Sequence, residues 1–196
     1  MKVVDTLLDQ VLDRLQGIRI VPKTILCIYP ENFLDDKLQE FYPEASITRI
    51  SIQQLKQETR SYDLVMSIGD VTFAEEPLEL LLAMLKLVVN DRGLLMLAAF
   101  GIGTEGDHGQ KLWEGLQDIH NWGDAMTRND WGHPVLDVLS VDIQSPEWVK
   151  GVEKVWPMIN NTTEIRLEII FGLAWKEVKD EVGISLSEIK SSRSKK

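Results

Sequence analysis

The chain has 196 residues, with 21 Lys plus Arg against 31 Asp plus Glu and a formal net charge of −10. One domain is expected at this length, and 44% hydrophobic with 27% charged residues excludes fibrous and wholly disordered classes. The acidic balance excludes a general nucleic-acid binder, because affinity for a polyanion comes chiefly from Lys and Arg meeting phosphates, and it disfavours an anionic membrane surface for the same reason. A single cysteine, Cys27, allows no internal disulfide, and with only three histidines no standard zinc spacing can be assembled. No apolar run reaches the about 20 residues a bilayer requires, and residues 1–5 lack the build of a signal peptide. A cytoplasmic protein is expected.

In chain order, Val4, Leu7, Leu8, Val11, Leu12 and Leu15 recur at helical spacing, and Gly17 ends that helix. Residues 24–29 (TILCIY) read as a buried strand closed by Pro30, 33–41 as a helix, 45–52 (ASITRISI) as a second strand and 63–68 (DLVMSI) as a third, followed by Gly69 and Asp70. Residues 79–89 form the clearest helix, and 94–100 (LLMLAAF) a continuous apolar strand after the turn 90–93. Helices are expected over 111–119, 122–129 and 146–155. Strands are expected over 135–143 and 163–175, the last alternating and antiparallel. Residues 185–196 read as a polar, basic tail after a single domain spanning 1–184. Apolar strands alternating with helices define an α/β fold. It is a Rossmann-like, mostly parallel sheet with helices on both faces and an antiparallel last strand.

Gly101, Gly103 and Gly106 match GxGxxG letter for letter after a strand. That pattern cradles a dinucleotide when it follows the first strand and an acid comes about 20 residues later; here it follows a late strand, no such acid follows, and Asp107 would repel a diphosphate. A flexible crossover loop is the better reading, and a nucleotide-dependent oxidoreductase is set aside. The first strand runs into Tyr29, Pro30, Glu31 and Asn32 with no glycine, so the backbone cannot approach a ligand closely there. His120 and His133 have carboxylates nearby in sequence, as a general base would, although surface or capping roles are commoner. All six tryptophans follow residue 110, which suits core and lid packing.

Several segments together resemble a known superfamily. Residues 61–65 (SYDLV), the helix 80–89, the turn and strand start 90–95 (NDRGLL) and 100–104 (FGIGT) are similar to class I S-adenosylmethionine-dependent methyltransferases. Residues 118–125 (DIHNWGDA), 131–137 (WGHPVLD) and 169–176 (IIFGLAWK) resemble, more narrowly, the malonyl-acyl-carrier-protein O-methyltransferases of biotin synthesis. The resemblance covers roughly residues 60–190. It implies methylation of the free carboxyl of a carrier-bound malonyl thioester, with the donor over a glycine loop after the first strand and its ribose held by an acid ending the second strand. The chain departs at both places, carrying 27–32 where the glycine loop belongs and having the acid's position fall near Ser51, with residues 45–52 fitting either the family's second strand or its third. Only eleven positions separate Ser51 from Tyr62, whereas a strand–helix–strand crossover takes about 30 residues, so one strand–helix unit is missing.

These departures lead to the expectation of a methyltransferase-fold protein without ordinary donor binding, acting as a catalytically inactive binding protein with no cofactor. Its partner would be an acyl carrier protein or a second protein chain, and an exposed sheet edge could support an oligomer. The alternative is an active S-adenosylmethionine-dependent O-methyltransferase of a carboxylate or carrier-bound acid. The degenerate donor positions are Cys27, Tyr29, Ser51, Ser67, Gly69 and Asp70. The lid or substrate candidates are Phe100, Trp113, His120 and Trp122; catalytic residues are unassigned and no metal is expected.

Overall fold

Aliphatic runs too short to be helices line up side by side as a sheet, and the amphipathic segments between them cover its two faces. The computed structural model describes residues 2–29, 35–147, 149–150 and 162–177. The elements are α1 (Lys2–Gln16), β1 (Thr24–Ile28), α2 (Asp35–Phe41), β2 (Ser46–Ile50), β3 (Tyr62–Ile68), α3 (Leu78–Val88), β4 (Val89–Phe100), α4 (Ile119–Arg128), β5 (Trp131–Ile143) and β6 (Ile165–Lys176). The six-stranded sheet has the order β2-β1-β3-β4-β6-β5. Strands β1 to β4 pair in parallel, and β6 is antiparallel to both of its neighbours. This is the architecture expected from the sequence pattern.

Alternate residues of the central strands feed two separate cores. Ile25, Cys27 and Tyr29 of the first strand and its exit, with Leu64 and Met66 of β3, pack with Leu8, Val11 and Leu15 of α1 and Leu38 of α2. Leu26, Ile28 and Val65 face the other way, towards Leu82 and Leu85 of α3 and Ala125 and Met126 of α4. Both faces of β1, β3 and β4 are covered, so these strands read as unbroken apolar runs rather than as alternating ones.

The segment 51–61 between β2 and β3 holds only a short 3-10 turn, Ile52–Gln57, so no strand–helix unit lies between them. β2 pairs directly with β1 and ends the sheet on that side. None of its five residues is fully buried.

The structure corrects several boundaries. Residues 111–118 are not helical, and Trp113 stacks there instead. The expected turn at 90–93 is absorbed into β4 as an irregularity with Arg92 at φ 62°, and β4 therefore begins at Val89. β5 begins at Trp131 rather than 135, with Pro134 tolerated at a register shift on an edge strand where no ladder N–H is demanded of it. Of the helix expected over 146–155, residues 146, 147, 149 and 150 are helical, and 148 and 151–155 lie outside the described residues. Phe33, Leu34 and the tail 185–196 also lie outside them.

Candidate functional site

In a parallel sheet the strand ends that receive the crossover loops are where side chains and free backbone groups converge. Register aligns those ends here: Ile28 pairs with Ile50 on one side and Ser67 on the other, and Ile68 pairs with Ala98. The edge therefore gathers Tyr29, Ser51, Gly69 and Asp70 with Phe100, while Cys27 and Ser67 sit one step inside it.

Each of these positions has a structural employment. Cys27 is wholly buried on the α1 face, and burial pushes its thiol up to about 12. Tyr29 is buried in the same cluster and its phenol is pushed up by burial, with Cys27 and Arg49 as neighbours. Its ring thus lies within the core under α1 and α2. Pro30, Glu31 and Asn32 lie outside the described residues. Ser51 starts the turn Ile52–Gln57, and its backbone N–H donates to Gln54 Oε1 at 2.8 Å. Ser67 is fully buried and its hydroxyl finds no protein partner among the described residues.

After β3, Gly69 adopts φ 83°, a conformation that glycine enters at little cost, and turns the chain into the 3-10 turn Asp70–Phe73. Gly69 N–H donates to Ala98 O at 2.7 Å and Phe100 N–H donates to Thr72 Oγ1 at 2.8 Å, so this turn is fastened to the end of β4. Asp70 is buried at the start of that turn and places a carboxyl at the edge.

The lid candidates divide. Phe100 and Trp113 stack with ring centroids 5.4 Å apart and planes 8° apart. Phe73 completes the cluster, at 6.0 Å from Phe100 and 5.2 Å from Trp113. Phe73 was missed from the sequence; its one signal was its place three residues beyond Asp70. Trp122 is buried on α4 in the opposite core, and its indole N–H has no protein acceptor among the described residues. His120 is exposed on α4. Asp118 caps that helix by accepting from Asn121 N–H at 2.7 Å, and His133 lies 3.6 Å from Glu177 on the surface, so neither pairing makes a base-and-orienter arrangement.

Two clefts lie on this edge. One is lined by Ile52, Gln53, Lys56, Phe73 and Glu75, the other by Thr72, Leu81, Phe100, Gln117 and Trp122. Lys56 and Glu76 form an ion pair at their shared wall. Both clefts mix polar with apolar lining groups.

The glycine stretch after β4 has a different employment from either reading of it. Gly101 N–H donates to Glu168 O at 2.8 Å, Gly103 N–H donates to Glu168 Oε1 at 3.1 Å, and Thr104 exchanges hydrogen bonds with the Glu168 backbone. A Cβ on Gly103 would come within 2.6 Å of Glu168 Oε2. The glycines make room for a carboxylate of β6, and the loop is pinned rather than flexible. Among the described residues no group of three His, Cys, Asp or Glu side chains could hold a metal ion, and no helix is long and apolar enough to cross a membrane.

No family model and no curated protein matches the chain. Solved structures do. A putative methyltransferase from Bacillus halodurans aligns at TM-score 0.57 and 10% identity over 85% of this chain and 99% of that one. The cyclopropane synthase MmaA2 from Mycobacterium tuberculosis aligns at TM-score 0.53 and 14% identity over 85% and 83%. Phosphoethanolamine N-methyltransferase 2 from Haemonchus contortus, solved in complex with S-adenosyl-L-methionine, aligns at TM-score 0.58 and 11% identity over 87% of this chain and 53% of its own. The chain therefore has the Rossmann-like fold found in S-adenosylmethionine-dependent methyltransferases. At these identities the likeness is one of fold, and function must be argued from the site.

Proposed function

We propose that this chain is a methyltransferase-fold protein that does not hold S-adenosylmethionine in the ordinary manner and acts by binding another protein. The observation that carries this reading is the end of β2. Ser51 stands where the resemblance calls for a ribose-holding acid, and its backbone N–H is engaged with Gln54 at the start of a short 3-10 turn. A serine hydroxyl cannot accept two ribose hydroxyls as a carboxylate does. The absence of glycine over residues 27–32 and the buried Tyr29 ring point the same way. The residues present do not fit the donor, so no catalytic step is derived through it.

The partner is an acyl carrier protein or a second chain such as an active relative, in keeping with the resemblance to the malonyl-acyl-carrier-protein enzymes. A reducing cytoplasm suits the free, buried Cys27 thiol. The second reading is an active carboxylate O-methyltransferase. It is favoured by one arrangement: the Asp70 carboxyl and the Phe73, Phe100 and Trp113 rings share one sheet edge. An ionised carboxylate needs positioning and exclusion of water more than a base.

Calorimetric titration of the purified full chain with S-adenosylmethionine and S-adenosylhomocysteine decides between them. Absence of heat at high micromolar donor is the expected result. Low-micromolar binding overturns the first reading, and methyl transfer to a malonyl thioester, followed by mass spectrometry, would establish the second.

A further inference from the structure

Helix α3 buries Leu81, Leu82, Leu85 and Val88 against the sheet. One flank meets α4, where Lys86 Nζ donates to the carbonyls of Asn129 and Asp130 and Glu79 pairs with Arg128. Glu79 and Lys86 are the only charged residues of the helix, and both are engaged with α4, so the outer face is left apolar. That face carries Leu80, Ala83, Met84 and Leu87, the spacing of an apolar stripe. Leu80 is 50% exposed and Leu87 77% exposed, with Ala83 and Met84 half-buried between them. The neighbouring α4 instead exposes His120, Asp124 and Thr127. A helix that is apolar on every side belongs in an interior, and α3 has one side open.

We propose that a second copy of this chain covers the stripe, the two α3 helices packing antiparallel about a two-fold axis. Two observations select that occupant and that direction. The first is the symmetry of the stripe. A two-fold contact is self-complementary: what one copy offers at one position must fit what the other offers at a second, and the reverse. Antiparallel pairing centred between Ala83 and Met84 sets Leu80 against the partner's Leu87 at both ends. It also leaves the small Ala83 at the crossing, where the two backbones come nearest. The second is charge. Exposed Glu75 lies just before α3 and exposed Arg92 lies just beyond it. Antiparallel pairing brings each Glu75 to the end where the partner's Arg92 stands, and the axis makes that pair twice. A parallel pairing would set Glu75 on Glu75 and Arg92 on Arg92. Four side chains of one helix fall short of the about 800 Å² per partner of a standard interface, so the dimer is a weak one.

Sedimentation velocity of the full chain from about 5 to about 500 μM tests this, in the range where a small interface associates. The mass should rise from one chain towards two across that range. Leu87→Asp should weaken the dimer at least about tenfold, because both copies carry the change and each carboxylate meets a leucine. Glu75→Arg alone should weaken it about fivefold by setting Arg against Arg, and adding Arg92→Glu should return it to within about twofold of the parent. All three sites are exposed, so the melting temperatures of the variants in dilute protein should match that of the parent. Monomer at every concentration overturns the proposal, as it would be if another part of the same chain lay on the stripe. So does a dimer that Leu87→Asp leaves intact, or one that the double charge exchange fails to restore. The outcome does not depend on donor binding, so it stands or falls apart from the reading of the site.

Discussion

The two sides of β3 are built on different scales. On one side β1 and β2 are five residues each, β2 is half-exposed throughout, and the connection onward to β3 is a single 3-10 turn. On the other side β4, β5 and β6 run for 12, 13 and 12 residues, paired in long ladders, with one register shift in β5 between Gly132 and Val135. The first side carries Tyr29 and Ser51, the positions that the resemblance compares with a donor site, and it is the side with the shorter strands. The second side carries the segments whose sequence most narrowly resembles a methyltransferase family. Burial does not follow this division: four of the five residues of β1 are buried, whereas β5 runs along the outer edge with mostly exposed and half-buried residues.

The largest effect expected from this contrast is in the core of the long half. Phe171 on β6 is buried, with the Arg14 guanidinium 3.8 Å from its ring centroid. Phe171→Ala should cost about 3–5 kcal/mol in urea unfolding, whereas Ile47→Ala on the half-exposed β2 should cost about 1 kcal/mol. Equal losses would erase the distinction between the halves.

A smaller effect sharpens the role of the glycine loop. Gly103→Ala displaces the Glu168 carboxylate and breaks the N–H bond it accepts, which should lower stability by about 1–2 kcal/mol. Addition of NAD should not alter the melting temperature of either protein; stabilisation of the parent by NAD would return the loop to the dinucleotide reading.

The smallest effect concerns Asp63, the clamp that joins the two halves at the other edge of the sheet. Its Oδ2 accepts from Lys23 N–H at 2.8 Å and Thr24 N–H at 3.0 Å, and its Oδ1 accepts from Asn90 Nδ2 at 2.8 Å. Partial burial pushes this carboxyl up, but the hydrogen bonds, from Asn90 above all, outweigh it and hold the pKa below the ordinary value. A depressed native pKa gives stability that is full above the unfolded value of about 3.9 and is lost as pH falls through the native one. Thermal melts of the parent should therefore drop more steeply on acidification below about pH 5 than those of Asp63→Asn. Parallel curves for the two proteins would remove the clamp.

Much of the fold was legible along the chain because its signals are local. Residues 24–29 and 63–68 are apolar runs bounded by turn residues, and α1 and α3 carry helical periodicity. The eleven-position gap after Ser51 disclosed the absent strand–helix unit by length alone. The helix expected over 111–119 does not form: Trp113 stacks on Phe100 there, and Gly115 at φ 81° lies outside the helical region. The candidate site was legible only as a set of strand ends. The register that aligns Ser51, Gly69 and Phe100 could not be read from any one segment.

What the sequence by itself determined was the α/β class, the order of most elements, the absence of glycine after the first strand and of an acid at Ser51, and a chemistry without disulfide or standard zinc spacing. The tertiary structure decided what those residues do. It turned the GxGxxG stretch into a seat for Glu168, made Asp118 a helix cap and brought Phe73 to Phe100 and Trp113. The reason is distance along the chain. Local propensity and periodicity act within a few residues, whereas Gly103 meets Glu168 across 65 residues, and only the packing of whole strands sets which such pairs touch.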